Sequence, residues 1–393
     1  MTVHVGGTGA VCTAGNGVAA GFSALSSGTE YLKPYLHPDL PATSMPLCAS
    51  VEFDLDTLAG REGLHKTLAL ATVAADEAMA LLPDRSGLRI GVVAATTVGG
   101  ISQTEHAYKH YMADKTTLPS FAVDCAVHEP VVIAADLCRR FGATGFHTVS
   151  TACSSSLHAI GIAKRLIDRD YFDACLVVGA DALCITTVRG FNSLTLLDPQ
   201  GCRPFDKNRA GISLGEGAGA MLLVSEEMLP RCAKGSSGTI AGWGASSDCH
   251  HMTAPHPEGA GAKNAIEAAL EEARLQPRDI DGIFSHGTGT PDNDNSEVNV
   301  LRSLFAALPP FCSVKRVIGH TLAASGILEA VFALQAIKTG YLPPTAGFSE
   351  IDDQIGVSPF SGGPVTLRHV LKNAFGFGGN NAALVLSAPE GAS

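Results

Sequence analysis

Two segments carry the strongest fold signal in this sequence: SSSLHAIGIAKRLIDRDY at residues 154–171 and ASGILEAVFALQAIKTGY at residues 324–341. They share one apolar pattern at an offset of 170 residues, and each opens with small residues. A repeat of this kind is expected when two similar α/β halves pack together, although two unrelated amphipathic helices could match by chance. The repeat favours an N-terminal half at 1–240 and a C-terminal half at 241–393, with the boundary in the Gly- and Ser-rich stretch 233–247.

Short β-branched runs alternate with longer helical segments along the rest of the chain. RIGVVAATT at 89–97, CLVVGAD at 175–181 and DGIFSHGTG at 281–289 have the composition of buried strands. The segment 64–82 carries apolar residues at helical spacing. This alternation predicts the α/β class.

Composition excludes several classes of function. Of the 393 residues, 46% are hydrophobic and 17% charged, which is enough apolar side chain for a large core. The net charge of −11 argues against broad binding to nucleic acid or to an anionic membrane. Eleven cysteines without a CxxC pair fit a reducing compartment better than a disulfide framework. With no signal peptide and no membrane span visible, we expect a cytoplasmic protein.

Cys153 is the first candidate for chemistry, because a β-like run meets a helix there. A helix N-terminus stabilises a thiolate, so this position predicts a nucleophile, although a single cysteine in an apolar chain is more often a packing residue. His286 and His320 also stand at strand-to-helix connections, where catalytic groups of α/β sheets gather. A cysteine and two histidines at such positions can converge on one site.

The sequence resembles the elongating β-ketoacyl-acyl carrier protein synthases of the thiolase superfamily over most of its length. The resemblance rests on motifs whose order and spacing also agree. They are TACSSS at 151–156, CRPFDKNRAGISLGEGAGA at 202–220, HMTAP at 251–255, HGTGTPDNDNSE at 286–297, VKRVIGH at 314–320, GILEA at 326–330 and NAFGFGGNNA at 373–382.

By this resemblance the protein condenses an acyl thioester on Cys153 with malonyl-acyl carrier protein, losing CO₂. His286 and His320 would donate hydrogen bonds to the enolate oxygen, where charge develops. The backbone N–H groups of Cys153 and Phe377 would form the oxyanion hole. Phe377 would also be the gate that swings aside for the acyl chain, and the loop at 250–261 would move with it.

The resemblance implies further site residues. Lys315 would order the histidine pair, and Glu329 would be hydrogen-bonded to that lysine. Thr288 and Thr290 would bind the phosphopantetheine arm, although both could simply stabilise a turn. Residues with less specific assignments are the acyl-pocket candidates Thr97, Val98 and Phe191, and the candidates for a basic carrier-protein docking patch, Arg61, Lys66, Lys207 and Arg209.

The implied fold is a five-layered α-β-α-β-α sandwich of two duplicated halves, in a homodimer or a heterodimer with a related chain. We expect neither a metal nor a redox cofactor, since the substrates are carried on acyl carrier protein. The histidines that could be read as metal ligands are expected to be surface or loop residues; they are His106, His110, His250, His251 and His256.

Three positions depart from the family pattern. Ala210 replaces the Asp of FDxxRDG, Arg316 the Ser of KSxxGH, and Asn380 the Thr of GFGGTN. Arg316 is larger and charged beside Lys315, so it could reshape the local network.

Two other functions stay open. A thiolase would need a second catalytic cysteine in the C-terminal half, and Cys249 and Cys312 lie outside the 375–379 segment where it is expected. A non-catalytic chain-length-factor-like partner subunit would keep the fold but lose the nucleophile, which Cys153 argues against. The pathway also stays open between primary fatty-acid elongation and a polyene or polyketide route.

Overall fold

The computed structural model describes residues 2–37, 40, 45–117 and 125–389. Its strands are β1 Val3–Cys12, β2 Gly15–Asn16, β3 Lys33–Pro34, β4 Leu47–Cys48, β5 Ile90–Ala95, β6 Gly145–Val149, β7 Ala174–Asp181, β8 Gly217–Ser225, β9 Thr239–Ser247, β10 Gly282–Phe284, β11 Phe311–Cys312, β12 Tyr341–Leu342, β13 Gly363–Pro364, β14 His369–Gly376 and β15 Asn380–Ser387. Its α-helices are α1 Val18–Ser27, α2 Leu55–Ala59, α3 Lys66–Met79, α4 Ile101–Ala113, α5 Val131–Phe141, α6 Ser155–Asp168, α7 Ile185–Ser193, α8 Ala260–Ala273, α9 Pro291–Leu304, α10 Lys315–Ile318 and α11 Ser325–Thr339.

The main sheet is built from two arrays with the same strand pattern. Its order is β11-β10-β14-β15-β9-β1-β8-β7-β5-β6, with β2 paired to β1. From the centre outward, β1-β8-β7-β5-β6 and β9-β15-β14-β10-β11 each show two antiparallel pairings followed by two parallel ones. The two arrays meet where His4 of β1 pairs with Thr239 of β9.

Helices cover both faces of these arrays and produce five layers. The central layer contains α6 and α11, whose Ile160 and Val331 belong to a core cluster shared with both arrays. One outer layer contains α3 and α5, and the other contains α8 and α9. The prediction of an α/β, five-layered sandwich with duplicated halves is therefore confirmed.

The repeated segments form the two central helices. The helix α6 begins at Ser155 and α11 begins at Ser325, so the offset of 170 is kept in the structure. Within the described residues one stretch, Leu322–Thr339, is long and apolar enough to cross a membrane, yet 83% of it is buried inside the fold. It is the core helix that both arrays pack against.

The segment predicted as a strand at 281–289 is shorter than expected. The strand β10 ends at Phe284, and the following backbone N–H groups turn toward carboxylates of α9. The Ser285 N–H still donates to the Cys312 carbonyl of β11, but from His286 onward buried Glu297 and Asp294 replace the partner strand as acceptors, so the chain forms a loop. This loop carries His286.

The stretch 233–247 is not a free linker between the halves. Its last nine residues form β9, so a boundary after residue 240 falls inside a strand. The glycines there serve close packing, because a Cβ on Gly242 or Gly244 would overlap carbonyl oxygens of α8. Gly7 and Gly9 of β1 approach α3 in the same way.

Candidate active site

Cys153 lies on a tight turn between β6 and α6. Ala152 takes a left-handed conformation with φ of 53°, which costs energy for a residue with a side chain. The Ser155 hydroxyl accepts from the Thr151 N–H at 2.8 Å and donates to the Ala152 carbonyl at 2.6 Å. This turn points the Cys153 side chain away from the sheet at the start of α6, as the sequence predicted.

The thiol of Cys153 is buried and faces two backbone donors. Burial raises its pKa to about 11, while the charge of Lys315 and the N–H groups of Phe377 and Cys153 act in the opposite direction. Burial therefore favours the thiol and opposes the thiolate-stabilising effect that the helix N-terminus predicts. The two N–H groups that face Sγ are those that the sequence interpretation assigned to an oxyanion hole.

The orientation of the His320 ring is set by a hydrogen bond at its Nδ1. Its Nδ1 accepts the Leu322 N–H at 3.0 Å, so the ring proton is on Nε2, and its backbone N–H donates to the Ser213 carbonyl at 2.7 Å. Burial, reinforced by the charge of Lys315, lowers the pKa of His320 to about 3. The imidazole is thus a neutral Nε2–H donor at neutral pH.

His286 is fixed mainly through its backbone. Its N–H donates to Glu297 Oε1 at 2.8 Å, its carbonyl accepts from Lys315 Nζ at 2.5 Å, and its buried Nδ1 has no hydrogen-bond partner in the described structure. The ring lies 5.4 Å from that of His320 between centroids, at 87°. Burial, followed by the charge of Lys315, lowers its pKa well below the usual value, so this ring is also neutral.

A buried group of three charges lies behind the histidines. Glu329 Oε1 binds Lys315 Nζ at 2.8 Å, and Glu329 Oε2 lies 2.5 Å from Lys372 Nζ. Burial alone would raise the pKa of Glu329, but the two ammonium groups lower it to about 2. The structure places Lys315 and Glu329 together, as the resemblance implied.

Lys372 was missed by the sequence interpretation. It is fully buried at the middle of β14, where Val370 and Ala374 on the same face pack with the central helices. Alternate residues of a strand lie on the same face, so Lys372 could have been recognised from the sequence HVLKNAFG as a lysine on the core-facing side of this strand. A buried lysine requires a partner, and Glu329 provides it.

Two cavities meet at Cys153. The smaller, of about 80 Å³, is lined by Cys153, His286, His320, Thr288 and Thr290 among others. The larger cavity, of about 450 Å³, is lined by the acyl-pocket candidates and by residues of α7. Those candidates are Thr97, Val98 and Phe191.

Phe377 separates these cavities. Its ring stacks on Phe191 with centroids 5.6 Å apart, and both residues line both spaces. Glycines 378 and 379 adopt φ of 79° and 75°, which a side chain would strain. The Gly378 N–H donates to the Met252 carbonyl at 2.7 Å, which connects Phe377 to the 250–261 loop.

Thr288 and Thr290 line the smaller cavity and also stabilise the turn before α9. Their hydroxyls lie 2.9 Å apart and face the smaller cavity, while Thr290 also caps α9 by accepting the Asn293 N–H. The Thr288 N–H donates to buried Asp294 at 3.0 Å, and burial raises the pKa of that carboxyl.

Arg316 faces away from the Lys315 network. Its guanidinium donates to the carbonyl of Gln200 at 2.9 Å and pairs with Glu30 at 2.9 Å, in a slot where a Cβ on Gly201 would collide with it. The substitution therefore ties three surface segments together and does not enter the buried charges. Asn380 donates to the Phe377 carbonyl at 3.2 Å and so supports the gate segment.

The proposed basic docking patch is only partly present. Arg209 is buried and bound to Asp352 at 2.7 Å and Asn295 at 2.7 Å, so its inclusion in a docking surface is wrong. The Lys66 ammonium is tied to buried Glu216. Arg61 pairs with Asp136 at 2.9 Å and Lys207 with Glu350 at 2.6 Å, but both remain about half exposed.

Four of the histidines considered as metal ligands form two pairs. His106 and His110 lie 4.6 Å apart between ring centroids on α4, and His250 and His256 lie 5.1 Å apart. In the described ranges no three His, Cys, Asp or Glu side chains group in a way that could hold a metal ion. His251 instead accepts the N–H groups of Thr253 and Ala254 within its loop.

Asp181 is a second residue that sequence reasoning missed. Its buried carboxylate accepts from both Thr97 groups, from the Thr96 hydroxyl, from the Val98 N–H and from the Ala323 N–H. Burial raises the pKa of this carboxyl. Asp181 thereby connects Thr97 and Val98, which line the larger cavity, to the turn after His320. No local sequence pattern predicts this contact.

Comparisons with known proteins agree with this geometry. Residues 60–228 match the family described as beta-ketoacyl synthase, N-terminal domain, and residues 237–349 match beta-ketoacyl synthase, C-terminal domain. The putative polyketide beta-ketoacyl synthase 1 of Streptomyces cyaneus is 32% identical, with 99% of this chain and 98% of the relative aligned. The 3-oxoacyl-[acyl-carrier-protein] synthase 2 of Staphylococcus aureus is 29% identical over 99% and 98% of the two chains.

A solved structure shows the same architecture over the whole chain. The ishigamide ketosynthase/chain length factor superposes with a TM-score of 0.92 at 29% identity, covering 99% of each chain.

Proposed function

Because the chain belongs to the β-ketoacyl synthase family, we propose that it catalyses decarboxylative Claisen condensation in acyl-chain elongation. It joins an acyl group held on Cys153 to malonyl-acyl carrier protein and yields β-ketoacyl-acyl carrier protein. The observation that carries the proposal is the convergence of Cys153 with two neutral imidazoles, His286 and His320, on one small cavity. The N-terminal half supplies the thiol and the C-terminal half supplies both histidines.

The first half-reaction is acyl transfer to Cys153. The Cys153 sulfur attacks the carbonyl of an acyl-carrier thioester, the pantetheine sulfur leaves as a thiol, and the Cys153 proton balances it. The acyl chain then occupies the larger cavity beside Thr97, Val98 and Phe191, which Phe377 opens. The N–H groups of Cys153 and Phe377 stabilise the tetrahedral oxyanion.

The second half-reaction begins with loss of CO₂ from the malonyl thioester. The electron pair of the broken carbon–carbon bond forms an enolate, whose oxygen accepts hydrogen bonds from the histidine pair. Donors that are neutral and already dehydrated need no reorganisation when this charge appears. The enolate carbon then attacks the Cys153 thioester, and collapse of the oxyanion returns the Cys153 thiolate, which regains a proton.

The proposed reaction bears on the protein's partners, cofactors and cellular compartment. We propose that acyl carrier protein presents both substrates, with Thr288 and Thr290 holding the phosphopantetheine arm and Arg61 and Lys207 at the docking surface. The reaction needs neither a metal nor a redox cofactor. A dimer, with itself or with a related chain, is supported by likeness to a ketosynthase/chain length factor. Free thiols in the described core favour the cytoplasm.

A non-catalytic partner subunit is the second candidate function. The likeness to a ketosynthase/chain length factor favours it, since one member of such a pair is not the condensing chain. Cys153 beside both histidines argues for the catalytic member. A thiolase is less well supported, because neither Cys249 nor Cys312 lines the cavity that holds Cys153.

The test compares the parent with Cys153→Ala, Cys153→Gln and His320→Ala in malonyl-carrier-protein decarboxylation and in condensation with several acyl chain lengths. We expect condensation to vanish in all three variants. Decarboxylation should survive or rise in Cys153→Gln and fall about 100-fold or more in His320→Ala, because an enolate donor is lost.

Cys138→Ala and His110→Ala are the matched controls, since both residues lie outside the cavities. They should retain the parent's activity. A folded parent that neither decarboxylates nor condenses, even with candidate partner subunits, would replace the catalytic proposal with the partner-subunit function.

A further inference from the structure

Four charged contacts hold the backbone that carries His286. The N–H groups of His286 and Gly287 donate to the two oxygens of Glu297, each at 2.8 Å. On the opposite side Lys315 Nζ donates to the His286 carbonyl at 2.5 Å, and Lys372 Nζ lies 3.4 Å from the Ser285 carbonyl. Two ammonium groups and one carboxylate therefore hold three consecutive residues.

This backbone clamp matters because the His286 ring lacks a fixing contact. His320 is oriented by the hydrogen bond at its Nδ1, but the Nδ1 of His286 is buried without a partner in the described structure. The ring direction of His286 thus depends on where the loop at 285–287 is held. A small displacement of that loop would move Nε2 away from the enolate oxygen.

Lys372 contributes charge as well as position. It is fully buried and 2.5 Å from Glu329 Oε2, and it also contacts the Asn373 carbonyl. Glu329 is shared with Lys315, so two buried cations have one carboxylate between them. Both ammonium groups lie near the imidazoles, and the positive charge of each opposes their protonation.

We propose that Lys372 is a positioning residue for malonyl decarboxylation, which holds the His286 loop through Ser285 and Glu329 and keeps the imidazole pair neutral. This inference rests on the proposed function, because the reaction it supports is loss of CO₂ from the malonyl thioester. Lys372 itself touches no substrate. It acts on the second half-reaction and not on acyl transfer to Cys153.

The charge effect has a defined sign. The titratable groups around the two imidazoles are Lys315 on α10, Lys372 on β14, Glu329 on α11, Glu297 and Asp294 on α9, and Cys153 ahead of α6. Burial is the largest cause of the low pKa of His286, and Lys315 and Lys372 lower it further. Removing Lys372 therefore raises the pKa of the histidines, and the acid limb of decarboxylation moves to higher pH.

The experiment measures the two half-reactions separately in Lys372→Met and Lys372→Gln, with exposed Lys338→Met as the control. We expect decarboxylation to fall about 10- to 100-fold in Lys372→Met, from misplacement of one donor. Acyl transfer to Cys153 should change less than about 3-fold, since different elements hold the thiol. Lys372→Gln keeps a donor for the Ser285 carbonyl, so it should recover part of the rate but not the parent's pH profile.

The outcomes separate this inference from the proposed function. An active parent with unchanged decarboxylation and pH profile in both variants overturns the role of Lys372 alone. If Lys372→Met does not fold, the inference is tested with Lys372→Gln and with the pH profile of the parent. In the parent, decarboxylation should show no acid limb near pH 6.5, the ordinary pKa of histidine. A parent limb at that pH overturns the inference. A parent without decarboxylation overturns the proposed function first.

Discussion

The two halves of the molecule turn the chain into a central helix in the same way. Ala152 precedes α6 with φ of 53°, and Leu322 precedes α11 with φ of 51°, at the same offset of 170 residues that relates the helices. The next residue is Cys153 in the first half and Ala323 in the second. One turn thus carries the proposed nucleophile and its counterpart carries a methyl group.

The environment of each turn explains the difference. The Ala323 N–H donates to Asp181 at 2.8 Å, and this buried carboxylate also binds the segment Thr96 to Val98. At Cys153 the N–H faces the thiol beside two cavities. A strained turn is kept in both halves, but the buried carboxylate of Asp181 binds one turn, whereas the other borders two cavities.

Moving the nucleophile between the turns should have the largest effect. In the double variant Cys153→Ala/Ala323→Cys, condensation should stay below about one thousandth of the parent rate. Ala323 is fully buried and lines neither cavity, so a thiol there cannot meet an acyl thioester. Mass spectrometry after incubation with acyl carrier protein checks this, with Cys153→Ala as the control. Acylation at position 323 would show that the two turns are chemically equivalent.

Removing the structural carboxylate should cost stability. Asp181→Asn replaces an acceptor by an amide whose NH₂ opposes backbone donors, so the free energy of unfolding should fall by about 2 to 4 kcal/mol. Cys153→Ala should change it by about 1 kcal/mol or less, because the substitution removes a single sulfur atom beside the cavities and leaves the backbone of the turn unchanged. Urea unfolding of both variants measures the contrast. Similar losses in the two would mean that both turns are structural.

Glycine substitutions test the similarity of the halves. Gly9→Ala and Gly244→Ala each place a Cβ against a helix carbonyl, and each should destabilise the protein by about 1 to 3 kcal/mol. Gly190→Ala on α7 is the matched control, because no atom lies within 4 Å of its Cβ position. Thermal unfolding should find that control neutral or slightly stabilised. A large loss in only one half would contradict equal packing.

The histidines should make stability depend on pH. The pKa of His320 is lower in the folded protein than in the unfolded chain, so the unfolded chain binds a proton first as pH falls. The stability that His320 contributes is therefore fully present above pH 6.5 and is lost as pH falls toward about 3. The loss is about 1.4 kcal/mol per pH unit for His320. Comparing urea unfolding of the parent and His320→Gln at pH 7 and pH 5 should reveal a shallower slope in the variant. Parallel slopes would place the His320 pKa near its ordinary value.

Much of the site was predictable because its residues occur in local motifs. Cys153, His286 and His320 each follow a strand, and parallel strands bring their carboxyl ends to one edge of a sheet. The repeat at 154–171 and 324–341 likewise predicted two similar α/β halves, and the resemblance to the condensing enzymes implied the five layers. These features depend on local pattern and on general rules of α/β packing.

Other features depended on distant contacts. Arg209 has the sequence appearance of a surface cation, yet Asp352 and Asn295 bind it inside the fold. The raised pKa of Cys153 follows from burial by both halves, which a helix N-terminus alone does not report. The Gly- and Ser-rich stretch 233–247 predicts a boundary between the halves, whereas residues 239–247 form β9 and their glycines pack closely against α8.

The sequence by itself determined the class of fold and the motifs that carry Cys153, His286 and His320, because motif order and apolar periodicity are local properties of the chain. Only the tertiary structure decided which charges are buried and what they hold. Lys372, Glu329 and Asp181 come from separate strands and helices, and their roles exist only where packing removes water and forces each charge to find a partner. Protonation of the site is therefore a property of the assembled halves.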